Sequence, residues 1–267
     1  MLRSLFTGIS GLRAHQQMLD VTSSNIANVN TAGYKSSSTV FEDTLSQTIG
    51  GAGAPTATAG GTNPVQIGLG VQLAGTSTNF AQGSNQYTGR SSDLLINGDG
   101  FFVLSNNGQQ TYSRAGSFSL DNAGHLVAPD GSKVQSAAGG DLNLSALNSG
   151  TYVSWSISPT GAVNAVDNTG ATTTLDNIAT ATFANPGGLS RIGASQFETT
   201  TNSGPAQIGA PGTGGRGMLT SGYLEMSNVD LASELTNLII SERGFQANSR
   251  VITTSDEVLQ SLISLKN

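Results

Sequence analysis

Few residues of the chain have the types and spacing that catalysis or metal binding requires. The two histidines, His15 and His125, lie far apart, and neither has another His or a Cys at the spacing of metal ligands. The acidic pairs Glu42-Asp43 and Asp256-Glu257 are adjacent in sequence, and adjacent side chains on a helix point in different directions. We therefore predict no metal site, no cofactor and no catalytic centre, and we expect that the protein is not an enzyme.

One glycine pattern resembles a nucleotide-binding turn. Gly212, Gly214 and Gly217 satisfy Gly-x-Gly-x-x-Gly, but Pro211 precedes them and no strand-like segment leads into them. The chain contains neither the Gly-x-Ser-x-Gly of a nucleophile elbow nor the Gly-Lys of a phosphate-binding loop. The three glycines are therefore predicted to form a flexible connection.

The composition excludes several further classes of protein. The chain has 267 residues, with 11 Lys and Arg against 17 Asp and Glu, and its basic residues are scattered from Arg3 to Lys266. No groove for nucleic acid is expected, because no basic cluster can neutralise successive phosphates. The absence of Cys excludes disulfides and thiol chemistry. Neither the segment from Met1 to Phe6 nor the rest of the chain has the apolar run of a leader or a membrane span, so we expect a soluble protein without a cleaved leader or membrane insertion.

The start of the chain has the pattern of an amphipathic helix. Apolar residues recur at steps of three and four, and one row repeats every seven residues, the spacing that keeps a seam facing a partner helix. The polar residues Gln16 and Ser23 interrupt the seam, and Gly33 is predicted to cap the end of the helix. The predicted assembly seam consists of Leu2, Leu5, Ile9, Leu12, Leu19 and Ile26.

The end of the chain repeats this design in a longer helix. Asp230 or the pair Ser227-Asn228 is predicted to cap its start, and Glu234 lies in the first turn, where the helix dipole favours a carboxylate. Its predicted seam consists of Leu231, Leu235, Leu238, Phe245, Ile252, Leu259 and Ile263, interrupted by the polar residues Glu242, Ser249 and Asp256. Because both seams are narrow, we predict that the helices pair with each other and with other copies of the chain.

The middle of the chain has a different pattern. Residues 44–89 carry no charge and include several Gly-rich runs, which indicates loop or extended chain. Short alternating segments separated by turn sequences follow and predict an all-β domain. The sequence therefore predicts an α+β chain with a coiled-coil inner domain formed by 1–35 and 222–267, an extended Gly-rich linker over 36–75, and a central β domain over 76–221.

Three separated motifs, in this order, resemble the axial proteins of the bacterial flagellum, the family of rod and hook subunits. The signature near the N-terminus includes Asn25, Ala27, Asn28, Asn30, Thr31, Gly33, Tyr34 and Lys35, and departs from the family at Ser24, where many members have Asn. The central motifs are Gly89–Leu94, Gly98–Phe102 and Tyr112–Phe118, and the C-terminal motif is Ser227–Asp230 followed by Glu234–Thr236 and Arg243–Ser249.

The resemblance implies a structural subunit that polymerises into a helical tube. The short chain and the segment Gly60–Val71 are similar to the hook proteins of Gram-positive bacteria, so we expect a hook subunit that acts as a flexible universal joint. The alternative is a distal rod protein acting as a rigid drive shaft. A secreted carbohydrate-binding module or adhesin is more remote, because Trp155 and Tyr152 are its sole candidate aromatic platform and the terminal heptads would stay unexplained.

The resemblance also implies partners, location and folding behaviour. The expected partners are other copies of the chain, distal rod and hook-filament junction proteins, the hook cap during assembly, and the flagellar type III export apparatus. The expected location is the flagellar hook and basal body, outside the cell. The inner helices are expected to be disordered until the subunit joins the tube, and the polar interruptions in the seams are expected to ease sliding between subunits.

Overall fold

The computed structural model describes residues 2–56, 60–106, 108–149 and 152–265. It divides the chain into two compact units. The first contains residues 1–27, 37–78 and 230–267, and the second contains residues 28–36 and 79–229. The family signature is therefore split, because the part after Ala27 belongs to the second unit.

Two helices and two antiparallel strand pairs form the first unit. Helix α2 begins where the Asp230 carboxylate accepts hydrogen bonds from the backbone N–H groups of Ala232 (3.0 Å) and Ser233 (3.4 Å), so the predicted cap is confirmed. Strand β1 pairs with β4, and β2 pairs with β3. The elements are α1 (Leu2–Ala27), β1 (Ser37–Asp43), β2 (Ser46–Gly50), β3 (Val65–Gly68), β4 (Val71–Thr78) and α2 (Leu231–Ser264).

Two expectations for this region differ from the structure. The Gly-rich linker is not confirmed, because most of the segment predicted as linker forms the strands β1 to β4. Gly33 does not cap α1, because that helix already ends at Ala27. The physical reason is that a neutral segment with alternating Val, Ile and Thr can pair as strands even where glycines interrupt it.

The second unit is all β apart from two short 3₁₀ turns, as expected, so the chain is α+β. Its strands are β5 (Asn85–Tyr87), β6 (Leu94–Asn97), β7 (Phe101–Asn106), β8 (Gln109–Ser113), β9 (Ser119–Leu120), β10 (Leu126–Val127), β11 (Lys133–Val134), β12 (Tyr152–Ile157), β13 (Ala162–Asp167), β14 (Thr172–Asn177), β15 (Thr180–Thr182), β16 (Ser190–Gly193), β17 (Gln196–Glu198), β18 (Gln207–Gly209), β19 (Met218–Ser221) and β20 (Tyr223–Glu225).

Antiparallel pairing organises these strands. The main sheet has the order β16-β17-β8-β7-β11-β10-β9, with β15 pairing to β7 and β18 pairing to β15. Strands β12, β13 and β14 form a second sheet, and β6 with β19 and β5 with β20 form two further pairs. Strand β7 is central, because Phe102 and Leu104 enter one hydrophobic cluster while Phe101 and Val103 enter another. Strand β7 thus packs against a hydrophobic cluster on each of its two faces.

The remote carbohydrate-binding expectation also has an outcome here. Trp155 is partly buried and packs against the larger hydrophobic cluster, so it does not offer an exposed aromatic platform. Within the described ranges, neither helix is both long and apolar enough to cross a membrane.

Candidate functional site

The two helices of the first unit approach each other through small and polar residues. A methyl group at Gly11 would lie 2.7 Å from the side-chain oxygen of Asn248, and one at Gly8 would lie 3.2 Å from Cγ1 of Ile252. A methyl group at Gly244 would overlap the imidazole ring of His15. Glycine in a helix costs about 1 kcal/mol relative to alanine, and the close approach of the two backbones explains its presence here.

The predicted seam residues differ in burial. Leu5, Leu12, Leu19 and Ile26 on α1 and Leu238, Ile252 and Leu259 on α2 are half-buried, whereas Ile9, Leu231, Leu235, Phe245 and Ile263 are exposed. The side chain of Leu2 lies outside the described part of the chain. The leucine periodicity did not identify the glycines of the helix contact, although the spacing Gly8-x-x-Gly11 inside a helical pattern could have indicated them. The role of the predicted seams in assembly stays a prediction.

The polar interruptions predicted in the seams are all exposed. Glu242 accepts a hydrogen bond from the Gln246 amide at 3.1 Å, and Asp256 accepts one from the Gln260 amide at 2.9 Å. Each pair joins residues four apart on the surface of α2. The exposed set is Gln16, Ser23, Glu242, Ser249 and Asp256, and its role in sliding between subunits stays a prediction.

A large part of the apolar surface of the first unit faces solvent. Phe6 on α1 is 67% exposed, and Ile239 and Ile240 on α2 are 56% and 54% exposed. Further exposed apolar residues on α2 are Val251, Val258 and Leu262, and those on the strand pairs are Val40, Leu45, Ile49, Val65, Ile67 and Leu69. So many exposed large apolar side chains in one unit are consistent with a surface that associates with other protein.

Asn25, the first signature residue, joins three elements within the first unit. Its side-chain amide donates to the backbone oxygen of Ser37 (2.7 Å) and to Oε1 of Glu234 (3.1 Å), and its carbonyl oxygen accepts from the backbone N–H of Ser37 (3.0 Å). Asn25 is buried, so these bonds hold the start of β1 and the first turn of α2 against α1. Ala27, the next signature residue, is exposed at the end of α1.

The rest of the signature docks within the second unit around Glu225. The fully buried Lys35 ammonium lies 2.5 Å from Oε1 of Glu225 and donates to the backbone oxygen of Ala81 at 2.8 Å. The Arg114 guanidinium lies 3.2 Å from Oε2 of Glu225, and the backbone N–H of Gly33 donates to the backbone oxygen of Glu225 at 2.7 Å. One carboxylate therefore joins the signature segment, the central motif that contains Arg114, and β20.

Burial controls the charges in this cluster. It lowers the pKa of Lys35, and the Glu225 carboxylate opposes that shift. Burial likewise lowers the pKa of Arg114, opposed by Glu225 and, less strongly, by Asp99. Two buried cations share one buried carboxylate, so the cluster depends on Glu225 more than on either cation.

The remaining signature residues fit closely into the second unit. Gly33 has φ +68°, and a side chain there would overlap the backbone of Ala115. The Thr31 hydroxyl donates to the side-chain oxygen of Asn28 at 3.1 Å. Asn30 is exposed, while Tyr34 is partly buried beneath Arg191, whose guanidinium lies 5.0 Å from the ring centre.

Arg191 was not identified from the sequence. Its guanidinium donates to the backbone oxygen of Lys35 and also lies 5.7 Å from the ring of Phe197. A cation between two aromatic rings orients them by its charge and planar shape. No local sequence signal links Arg191 to a segment more than a hundred residues earlier, so this contact depends on the folded sheet.

The residues considered for catalysis are structural. His15 packs between Phe41 and Gly244, and Nδ1 of His125 lies 3.1 Å from the backbone oxygen of Leu142. The loop of Gly212, Gly214 and Gly217 is not a free connection, because Arg216 holds it through hydrogen bonds to Ala210, Thr213 and Gln207. In the described ranges, no group of three His, Cys, Asp or Glu side chains could hold a metal ion.

Comparison with known proteins identifies the family. Three family profiles match: "Flagella basal body rod protein" over residues 5–35, "Flagellar hook protein FlgE/F/G D1 domain" over 95–165, and "Flagellar basal body rod FlgEFG protein C-terminal" over 220–265.

Relatives align along the whole chain. The flagellar basal-body rod protein FlgG of Bacillus subtilis (strain 168) is 48% identical, with 100% of both chains covered. The protein of the same name from Borreliella burgdorferi is 38% identical, covering 100% of this chain and 99% of the relative. The flagellar hook protein FlgE of that organism is 29% identical over an alignment of 442 positions that covers 100% of both chains. The chain therefore belongs to the family of bacterial flagellar rod and hook axial proteins.

Proposed function

We propose that the protein is a subunit of the distal rod, the drive shaft that carries motor torque toward the hook. The observation that carries the proposal is the end-to-end alignment with the B. subtilis rod protein at 48% identity over 267 positions. The hook relative matches less well and needs 442 positions, so it contains segments that this chain lacks. The comparisons thus favour the alternative stated from the sequence over the hook interpretation.

Membership of the family establishes the general role of the protein. The protein is a structural component of the flagellum and serves motility, and it is not an enzyme. Rod and hook proteins assemble with copies of themselves and with other flagellar components into the axial structure.

The exposed apolar surface of the first unit supports assembly through the helices. Helix α2 has 34 residues, which corresponds to about 50 Å at 1.5 Å per residue. Exposed Phe6, Ile239 and Ile240 lie beside the half-buried seam residues, and burying one such side chain contributes about 1.5 to 3 kcal/mol. Neighbouring copies that cover this surface would order the helices and build the inner wall of a tube.

The partners follow from this position in the axis. We place copies of the chain on the lateral surfaces, the hook protein at the distal end of the rod, and the flagellar type III export apparatus as the route outward. The hook cap and the hook-filament junction proteins belong to the hook interpretation and are expected partners only under it.

Locating the protein in isolated basal bodies tests the proposal. An epitope inserted after Gly170 lies in an exposed turn between β13 and β14, where an added methyl group meets no atom within 4 Å. Immunogold microscopy of hook-basal bodies from the parent bacterium should label the rod, and a deletion strain should lack both distal rod and hook. Label on the hook, with complete rods in the deletion strain, would overturn the proposal in favour of the hook.

A further inference from the structure

A cavity of about 210 Å³ opens on the second unit. Three phenylalanine rings, Phe80, Phe101 and Phe183, form its apolar wall. Gly214 and Gly215 belong to its lining, so the glycine loop held by Arg216 borders this space. The volume suits a single side chain or a ring-sized molecule and is too small for a dinucleotide.

Arg114 lines this cavity, and one of its buried hydrogen-bond donors has no partner among the described residues. The residue is 3% exposed, and its Nη1 donates to Glu225. Its Nε, on the other edge of the guanidinium, is buried and has no hydrogen-bond partner among the described residues. A guanidinium edge that includes Nε matches the two oxygens of a carboxylate.

The charges around the cavity also favour an anion. Within the ion-paired cluster, Lys35 and Arg114 carry two positive charges against the single carboxylate of Glu225. Asp99, an exposed residue that lines the cavity, supplies the next negative charge that acts on Arg114. An incoming carboxylate would complete the neutralisation of the buried cations.

We propose that this cavity binds a carboxylate carried on a short apolar stem, with the carboxylate on the Nε edge of Arg114 and the stem against Phe80, Phe101 and Phe183. The surrounding side chains shield Nε of Arg114 from solvent, so one of them has to shift before a carboxylate can reach it. Phe80 is the ring with the most freedom to shift, because it is half-buried whereas Phe101 and Phe183 are buried. The carboxylate comes either from an acidic side chain of a second copy, which rests on the proposed assembly, or from a free small molecule.

Titration of the full chain with sodium benzoate, followed by NMR of the arginine Nε–H groups, tests the chemistry without assembly. We expect a saturable shift of the Arg114 signal with a Kd on the order of 1 mM. Benzamide, which has the same shape without the charge, should bind at least about tenfold more weakly. Arg114→Lys keeps a cation beside Glu225 but removes the Nε edge, and it should abolish the benzoate-induced shifts of the Gly100 and Phe101 backbone amides in the cavity lining. Arg90→Lys, at a mostly exposed side chain, should leave those shifts and the Arg114 response intact.

Asp99→Asn provides a variant whose folding is not at issue, because Asp99 is exposed. Removing this charge should tighten benzoate binding by about twofold to fivefold, since the carboxylate no longer meets a like charge at the cavity. Unchanged affinity in this variant, no Arg114 shift up to about 50 mM benzoate, or equal binding of benzamide would each overturn the proposal.

Polymerisation assays distinguish the two sources of the carboxylate. If a second copy supplies it, benzoate should raise the critical concentration for assembly at least about threefold while benzamide does not. If the natural ligand is a small molecule, benzoate binds to Arg114 and assembly is unaffected. Failure of the protein to join the rod at all would refute the proposed function and leave the NMR result standing.

Discussion

The carboxylate of Glu225 lies 2.5 Å from the ammonium of Lys35, and both side chains are completely buried although 190 positions separate them in the chain. Arg114 contacts the other oxygen of the same carboxylate. The N-terminal motif, which contains Lys35, and the central motif, which contains Arg114, thus both contact the carboxylate of Glu225. Glu225 itself lies just before the C-terminal motif. The cluster therefore links the segments of the three motifs in space although they lie far apart in the chain.

Replacing Glu225 with Gln should strongly destabilise the second unit. The substitution preserves shape but leaves Lys35 and Arg114 buried without an anionic partner, and breaking a buried ion pair in this way costs about 3 to 5 kcal/mol. Urea denaturation followed by Trp155 fluorescence measures the change. Glu257→Gln, at an exposed position of α2, is the matched control and should shift stability by less than about 0.5 kcal/mol. A loss for Glu225→Gln no larger than for the control would show that the cluster is not essential to stability.

Replacing Gly244 with Ala should separate the two helices. Alanine favours a helix over glycine by about 1 kcal/mol, so the substitution would stabilise an isolated helix. Here the added methyl group overlaps the ring of His15, and overpacking costs about 1 to 3 kcal/mol.

Helical circular dichroism of the assembled protein and the critical concentration for assembly report the effect of Gly244→Ala. We expect weaker assembly than in the wild type. Thr253→Ala, at an exposed position of the same helix outside the predicted seam, also raises helix propensity but adds no clash, and it should not weaken assembly. Equal or improved assembly of Gly244→Ala would contradict the close helix contact.

The sequence predicted the elements whose signal is local. Both terminal helices, the Asp230 cap and the β-rich middle follow from periodicity, capping chemistry and turn residues within a few positions. The sequence predicted only short alternating strands for the middle of the chain, and the structure shows that Phe101–Leu104 is buried on both faces.

The contacts that depend on distant partners were not accessible in this way. The strands β1 to β4 were predicted as a linker because Gly-rich runs lie between and within several of them, whereas pairing across the segment decides their structure. Gly33 was predicted to cap a helix, but its positive φ and missing side chain instead allow its backbone to lie close to the backbone of Ala115. The cluster of Lys35, Arg114 and Glu225 joins residues too far apart for any pattern in one sequence to connect them.

The second unit should lose stability in acid. Backbone N–H groups, above all that of His125, hold the pKa of Asp121 below its ordinary value, and the hydroxyl and N–H of Thr169 do the same for Asp167. For Asp130, burial raises the pKa, but the donors of Ser132 and Gln196 outweigh it and the net shift is downward.

A lowered pKa in the folded state gives stability that is present above the unfolded pKa of about 3.9 and is lost as the pH falls toward the folded value. Thermal unfolding between about pH 6 and pH 2.5 should therefore show a falling midpoint below about pH 4. A variant with Asp121→Asn, Asp130→Asn and Asp167→Asn should start from a lower midpoint at neutral pH and fall less steeply. Identical acid profiles for the variant and the wild type would show that Asp121, Asp130 and Asp167 do not cause the loss of stability in acid.

Replacing Ile240 with Ser should impair assembly without destabilising the free subunit. Ile240 is 54% exposed on α2, so the isolated chain loses little packing when the side chain is shortened. If a neighbouring copy covers this position, the lost burial of about 1.5 to 3 kcal/mol raises the critical concentration by about tenfold to a hundredfold. Sedimentation of polymer from free subunit measures the critical concentration directly.

Val153→Ser is the matched control for Ile240→Ser, because Val153 is 70% exposed on β12 in the second unit, outside the helices. It should leave the critical concentration within about twofold of the wild type. Circular dichroism of dilute wild-type subunit should also show less helix than the polymer, because two narrow helices bury too little surface to offset the entropy of ordering them. The proposal would be contradicted if the dilute subunit were fully helical and if Ile240→Ser and Val153→Ser changed the critical concentration equally. The helices would then not depend on neighbouring copies for their order.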